Sequence, residues 1–193
     1  TVPRRSLDAF AVGLQRFEAA LTDQLQSVRS GQSDFKAVRG EYGSGKTFFA
    51  RWLQESAKRQ GFATAEVQIS ETETPLHKLE TVYRRLCERL STSDQPEGAL
   101  RSVLDAWFYS LEEDVLAGGE VADDDMEELL RQTEALMEQR LGTISQQSTT
   151  FASALRAYRR ARAEENHEVA DGLLAWLSGE PNVGAAAKRY AGI

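Results

Sequence analysis

Eight consecutive residues, Gly40-Glu41-Tyr42-Gly43-Ser44-Gly45-Lys46-Thr47, fit the pattern G-x-x-x-x-G-K-[ST] at every fixed position. Residue types at this spacing suit the holding of phosphate groups. Glycines reach φ values closed to other residues and let backbone N–H groups approach an anion. A helix that follows turns its unpaired N–H groups and the positive end of its dipole toward the same point. On this reading the candidate nucleotide-binding residues are Gly40, Glu41, Tyr42, Gly43, Ser44, Gly45, Lys46, Thr47 and Phe48. Lys46 would reach the β- and γ-phosphates, and the Thr47 hydroxyl would ligate Mg²⁺. The competing reading is a glycine-rich turn that precedes a helix and binds nothing. The flanking patterns favour the phosphate reading, so the ligand expected is a nucleoside triphosphate with Mg²⁺.

Those flanking patterns define the elements that must position the loop. Phe35, Lys36, Ala37, Val38 and Arg39 read as a short strand leading in. Phe48, Phe49, Trp52, Leu53 and Ala57 recur at helical steps leading out, and Gly61 is placed to cap that helix. Before the loop, Phe10, Leu14, Phe17, Leu21, Leu25 and Val28 mark one helical face over residues 6–30, with a break expected near Gly13. Ser30-Gly31-Gln32-Ser33 supplies a turn at its end. After the loop, Ala63, Ala65, Val67 and Ile69 alternate with polar residues, the pattern of a strand at the edge of a parallel sheet. Pro75 opens a helix with an apolar stripe from Leu76 to Leu90, and 91–97 reads as a linker. Beyond it lie only helical patterns, around Leu100–Leu111, Met126–Leu141, Phe151–Tyr158, Val169–Leu177 and Ala185–Tyr190. The expected fold class is α/β: a P-loop NTPase start, a parallel sheet flanked by helices, then a largely helical block. Residues 1–90 form the expected nucleotide-binding region, with its acidic strand absent, and 97–193 the mostly α-helical region.

A chain of 193 residues supports one sizeable core, or a core plus a helical appendage. The net charge of −7 argues against a protein that coats nucleic acid through its overall field. Cys87 is the single cysteine, so an intrachain disulfide is excluded and a reducing, cytoplasmic setting is expected. No apolar run approaches the roughly 20 residues that span a bilayer, so no membrane partner is expected. The start at Thr1 and the stop at Ile193 suggest a piece of a longer protein.

Hydrolysis by such a loop needs a second acidic site: an apolar strand ending in Asp, often followed by Glu. No run of that kind occurs. Nine acids and no Lys or Arg lie between Leu111 and Leu130, densest at Asp123-Asp124-Asp125, but no apolar strand precedes them. They read as a solvated loop and an acidic helix start, or as a docking patch. Glu71 and Glu73 follow the second expected strand, where ligands gather in open α/β sheets, and fit a polar turn equally well. Arg156, Arg159, Arg160 and Arg162, with Lys188 and Arg189, could form a basic face or supply an arginine finger. Glu164, Glu165 and Glu168 close by favour a salt-laced solvated helix. His77 and His167 are isolated and lack metal-ligand spacing.

The stretch Val38-Arg39-Gly40-Glu41-Tyr42-Gly43-Ser44-Gly45-Lys46-Thr47-Phe48-Phe49 resembles the P-loop of the ATP-binding proteins of bacterial BREX phage-defence systems. So do Ala65 to Ser70 and Pro75 to Tyr83, and the similarity runs from about Leu7 to Leu90. That family is in turn similar to AAA+-like ATPases of the origin-recognition type. Val12-Gly13-Leu14-Gln15-Arg16-Phe17-Glu18-Ala19-Ala20-Leu21 resembles their leading motif, which packs on the adenine. The resemblance therefore implies ATP as ligand and makes Val12 and Gly13 candidate base contacts; an ordinary amphipathic helix remains the other reading. It further implies an ATPase in the full-length protein, whose acidic strand lies after this segment. Expected partners are the nucleotide, further copies of the chain or defence-system proteins, and DNA as a candidate. Two other functions stay open: a nucleotide-gated scaffold that does not turn over, and a P-loop kinase, against which the acid-rich stretch around Asp123 argues.

Overall fold

The computed structural model describes Leu7, Ala11, and residues 13–119 and 125–193. Its helices are α1 (Gln15–Arg29), α2 (Lys46–Arg59), α3 (Leu79–Glu88), α4 (Leu100–Ala117), α5 (Met126–Gln147), α6 (Thr149–Ala163), α7 (His167–Leu177) and α8 (Ala185–Ala191). They divide between two compact units, one of Thr1–Ala65 with Ser91–Pro96, the other of Glu66–Leu90 with Glu97–Ile193. None of the helices among the described residues is long and apolar enough to cross a membrane.

The α/β expectation is overturned. Among the described residues there is no parallel sheet, and the one β pairing is an isolated antiparallel bridge between Thr64 and Ser91. Phe35 to Arg39 do not form a strand. Phe35 is 87% exposed and Val38 54%, whereas a central parallel strand is covered on both faces. The run from Phe62 to Ser70 pairs only at Thr64, through reciprocal backbone bonds of 2.8 Å with Ser91. Ser70 then turns the chain, its Oγ accepting from the N–H groups of Glu73 at 3.0 Å and Thr74 at 3.2 Å. The physical reason lies in what alternation encodes. It specifies which side chains share a face, but a strand also needs a neighbour to take its backbone bonds, and paired strands below about three are marginal in water.

In the first unit, Gly13 (φ 81°) breaks the N-terminal periodicity and Gly31 (φ 90°) lies just past the end of α1. Phe17 of α1 meets Phe49 of α2 edge-on at 6.3 Å, and Phe49 meets Trp52 at 6.1 Å. Leu7, Ala11 and Trp52 are buried together, with Leu14, Leu21, Phe48, Phe49 and Leu53 packed around them. At the far ends of the two helices the Arg29 guanidinium donates to the Gln60 carbonyl and lies over the Phe62 ring.

The second unit has the larger core, centred on α6. Ala152, Ala154, Leu155, Ala157, Tyr158 and Ala161 are all buried along it, and the four alanines let neighbouring helices come close. Phe108 and Leu111 of α4, Met137 and Leu141 of α5, Leu173 and Leu177 of α7, and Ala187 of α8 fill the space around this face. Ser148 and Asn166 cap α6 and α7 by accepting from the N–H groups of Phe151 and Val169. The fit between α7 and α8 is tight at Gly172, where an added Cβ would lie 2.7 Å from the Ala187 Cβ.

The arginines of α6 are engaged within this unit. Arg156 pairs with Glu138, and Arg159 lies 3.9 Å from Glu112. Arg162 reaches Asp105 at 3.2 Å, and Arg160 donates to the hydroxyl and carbonyl of Tyr190, each at 3.0 Å. Asp105 also accepts from the buried Tyr158 hydroxyl at 3.1 Å.

Candidate functional site

The Gly40–Thr47 loop belongs to the first unit and ends on the N-terminus of α2. Gly43 (φ 80°) and Gly45 (φ 88°) hold left-handed conformations, which a residue with a Cβ enters only with strain of about 1–2 kcal/mol. At Gly40, whose φ is not positive, the limit is space: a Cβ there would meet Ser44 Oγ at 2.5 Å. Ser44 N–H donates to the Glu41 carbonyl at 3.2 Å and closes a turn, which leaves Tyr42 fully exposed at its apex.

Lys46 folds back over this loop. Its ammonium donates to the carbonyls of Gly40 and Glu41, both at 2.7 Å. Two of its three N–H bonds are thus spent on the loop, and the third is left for another acceptor. The N-terminus of α2 has no side-chain cap and no acidic residue in its first turn. Its first N–H groups, which have no acceptor inside the helix, are therefore open to an anion. Thr47 is exposed and Lys46 half-buried. A phosphate chain fits this donor set: an ammonium, unpaired amides and glycines whose backbone an anion can approach closely.

The other candidates are distributed more widely. The Phe48 side chain packs into the Trp52 cluster, so only its backbone faces the loop's end of the helix. Gly13 forms the turn into α1, and Val12 lies outside the described residues. Ala11 and Leu14, on either side of them, join the cluster that also holds Phe48 and Phe49. Glu71 and Glu73 belong to the second unit, in the Ser70 turn. Of the acid-rich stretch, 120–124 lie outside the described residues, while Asp125 caps α5 by accepting from Glu128 N–H at 3.1 Å. Hydrogen bonds from Arg131 and then Gln132 hold the Glu128 carboxyl at about 2. The described residues include no cluster of three or more His, Cys, Asp or Glu placed to bind a metal ion.

One contact near the loop had no sequence signal. The Leu7 N–H donates to Glu55 Oε2 at 3.2 Å across 48 residues of chain, tying the N-terminal segment to α2. Nothing in the periodicity of either stretch announces a bond between a backbone amide and a distant carboxylate.

Comparison with known families places this loop in context. A family model described as BREX system ATP-binding protein BrxC/D matches residues 1–193. The chain belongs to this family. Membership in the BREX ATP-binding family ties the chain to ATP and to phage defence, and it does so across both units rather than the first alone. No curated protein and no solved structure matches the chain.

Proposed function

We propose that the chain binds ATP with Mg²⁺ through Gly40 to Thr47 and couples the state of that nucleotide to defence-system partners. The observation that supports this most is the Lys46 ammonium drawn across the loop by two carbonyls at the open end of α2. In this reading Gly43, Ser44 and Gly45 offer backbone N–H groups to the phosphates, Lys46 gives its remaining N–H to the β- and γ-oxygens, and the Thr47 hydroxyl ligates Mg²⁺. The bound Mg²⁺ would supply charge neutralisation between phosphate oxygens. Residues 1–90 act as the nucleotide-binding region and 97–193 as the helical region that carries its response.

Calorimetry with ATP and Mg²⁺ on the chain and on Lys46→Ala tests this. Losing one charge-assisted bond to phosphate and the two that hold the loop should cost at least about 3 kcal/mol, roughly a hundredfold in Kd. Equal affinity in the two proteins would rule the loop out as the site.

A further inference from the structure

We propose that Tyr42 sets the preference of the Gly40–Thr47 loop for a triphosphate over a diphosphate, its hydroxyl donating to the γ-phosphate. The inference rests on the nucleotide reading of that loop and names the side chain that meets the terminal phosphate. Tyr42 is fully exposed at the apex of the turn that the Ser44 N–H closes on the Glu41 carbonyl at 3.2 Å. The same carbonyl accepts from the Lys46 ammonium at 2.7 Å. Tyr42 Cα is three covalent bonds from this oxygen, so no more than about 7 Å separates it from the ammonium. A phenol side chain covers that span. The phosphate oxygens that take the third N–H of Lys46 therefore lie within reach of the Tyr42 hydroxyl.

No other side chain of the loop is placed to add a donor there. Gly40, Gly43 and Gly45 have none. The Ser44 hydroxyl is turned onto Gly40, 2.5 Å from where a Cβ would stand. Glu41 brings acceptors to a group that needs donors, and the Thr47 hydroxyl is committed to Mg²⁺. Gly43, with φ of 80°, supplies the left-handed third position of the turn, and Tyr42 takes the second, at its tip. In this reading the backbone of Gly43 to Gly45 and the start of α2 surround the inner phosphates, which ATP and ADP share. A donor at the exposed tip acts on the terminal phosphate, which only ATP has. A contact made with one of two ligands is what separates their affinities.

Calorimetry with Mg²⁺ and either ATP or ADP, on the unaltered chain, Tyr42→Phe and Tyr42→Ala, tests this. Tyr42→Phe loses one hydrogen bond to a charged group. Its Kd for ATP should rise roughly 10- to 150-fold while its Kd for ADP stays within about twofold. Tyr42→Ala should show the same selective loss. Lys46→Ala, whose ammonium also meets the β-phosphate, should weaken both nucleotides. Tyr42 is fully exposed, so neither substitution disturbs packing, and unchanged ADP affinity shows that each variant is folded. Full ATP affinity in Tyr42→Phe, or equal losses for ATP and ADP, overturns the role of Tyr42 and leaves the nucleotide site standing. An unaltered chain that binds neither nucleotide overturns the nucleotide reading and this inference with it.

Discussion

Gly40→Ala separates the loop's role in binding from its role in stability. The new Cβ would lie 2.5 Å from Ser44 Oγ, 3.3 Å from Ser44 Cβ and 3.9 Å from Lys46 Cδ. Gly40 is not among the glycines with positive φ, so its backbone accepts alanine and the conflict is one of space alone. Ser44 must leave its rotamer, at about 0.5–1.5 kcal/mol, while the substitution gains about 0.4–1 kcal/mol from a stiffer unfolded chain. These nearly cancel, so the melting temperature should hardly move. Affinity is another matter. A rotamer change does not relieve the 3.3 Å Ser44 Cβ contact, so the Gly40 backbone shifts by a few tenths of an ångström; its carbonyl is one of the two that hold Lys46, and misplacing the ammonium forfeits about one charge-assisted hydrogen bond, 1.5–3 kcal/mol. Calorimetry with ATP and Mg²⁺ should then show Kd raised roughly 10- to 150-fold. Adding Ser44→Gly removes both crowding atoms and should restore binding to within about 1 kcal/mol, the residual cost of a looser loop. Gly40→Ala with unchanged affinity, or a double variant as weak as the single one, would refute the reasoning.

Two further predictions concern the helical unit. Gly172→Ala forces a Cβ to 2.7 Å from the Ala187 Cβ and should cost about 1–3 kcal/mol, a melting temperature lower by roughly 2–12 °C, with Ala187→Gly in the same chain recovering most of it. Burial, and after it the Asp105 charge, push the Tyr158 hydroxyl up to about 12. A phenol raised in the folded state above its unfolded value near 10 stabilises fully below pH 10 and loses that contribution as pH climbs toward 12. Denaturant titrations should therefore show about 2–3 kcal/mol less alkaline destabilisation in Tyr158→Phe than in the unaltered chain, and parallel pH profiles would count against it.

What the sequence discloses depends on whether the signal is local. The stripe Leu100, Val103, Leu104, Trp107, Phe108, Leu111 becomes α4, and Phe151, Leu155 and Tyr158 lie on α6, because a 3.6-residue period needs no distant partner to close its hydrogen bonds. Gly13 before α1 and Gly61 after α2 are local in the same way, each with a positive φ that a side chain would resist. The loop's glycines and lysine are equally local, so the candidate site could be read before any fold was known. The strands could not, since Val38 and Ile69 lie in runs that read as strands yet stand exposed without a neighbouring strand among the described residues. Non-local polar contacts stayed hidden too. Arg156 reaches Glu138 and Leu7 reaches Glu55 through packing that periodicity does not encode, so the salt-laced reading of α6 did not name the acids its arginines meet.

The Thr64–Ser91 bridge also sets an order of events during synthesis. The first unit is not a continuous stretch of chain: its closing pair joins residues 27 positions apart, with the whole of α3 made in between. At translation rates of about 5–20 residues per second, Thr64 has been made for about 1–5 s before Ser91 is joined to the chain. The nascent unit spends that time with Thr64 unpaired, and a truncated protein that stops at Ala65 would remain there. Any shortened version meant to keep the first unit whole should run through Pro96.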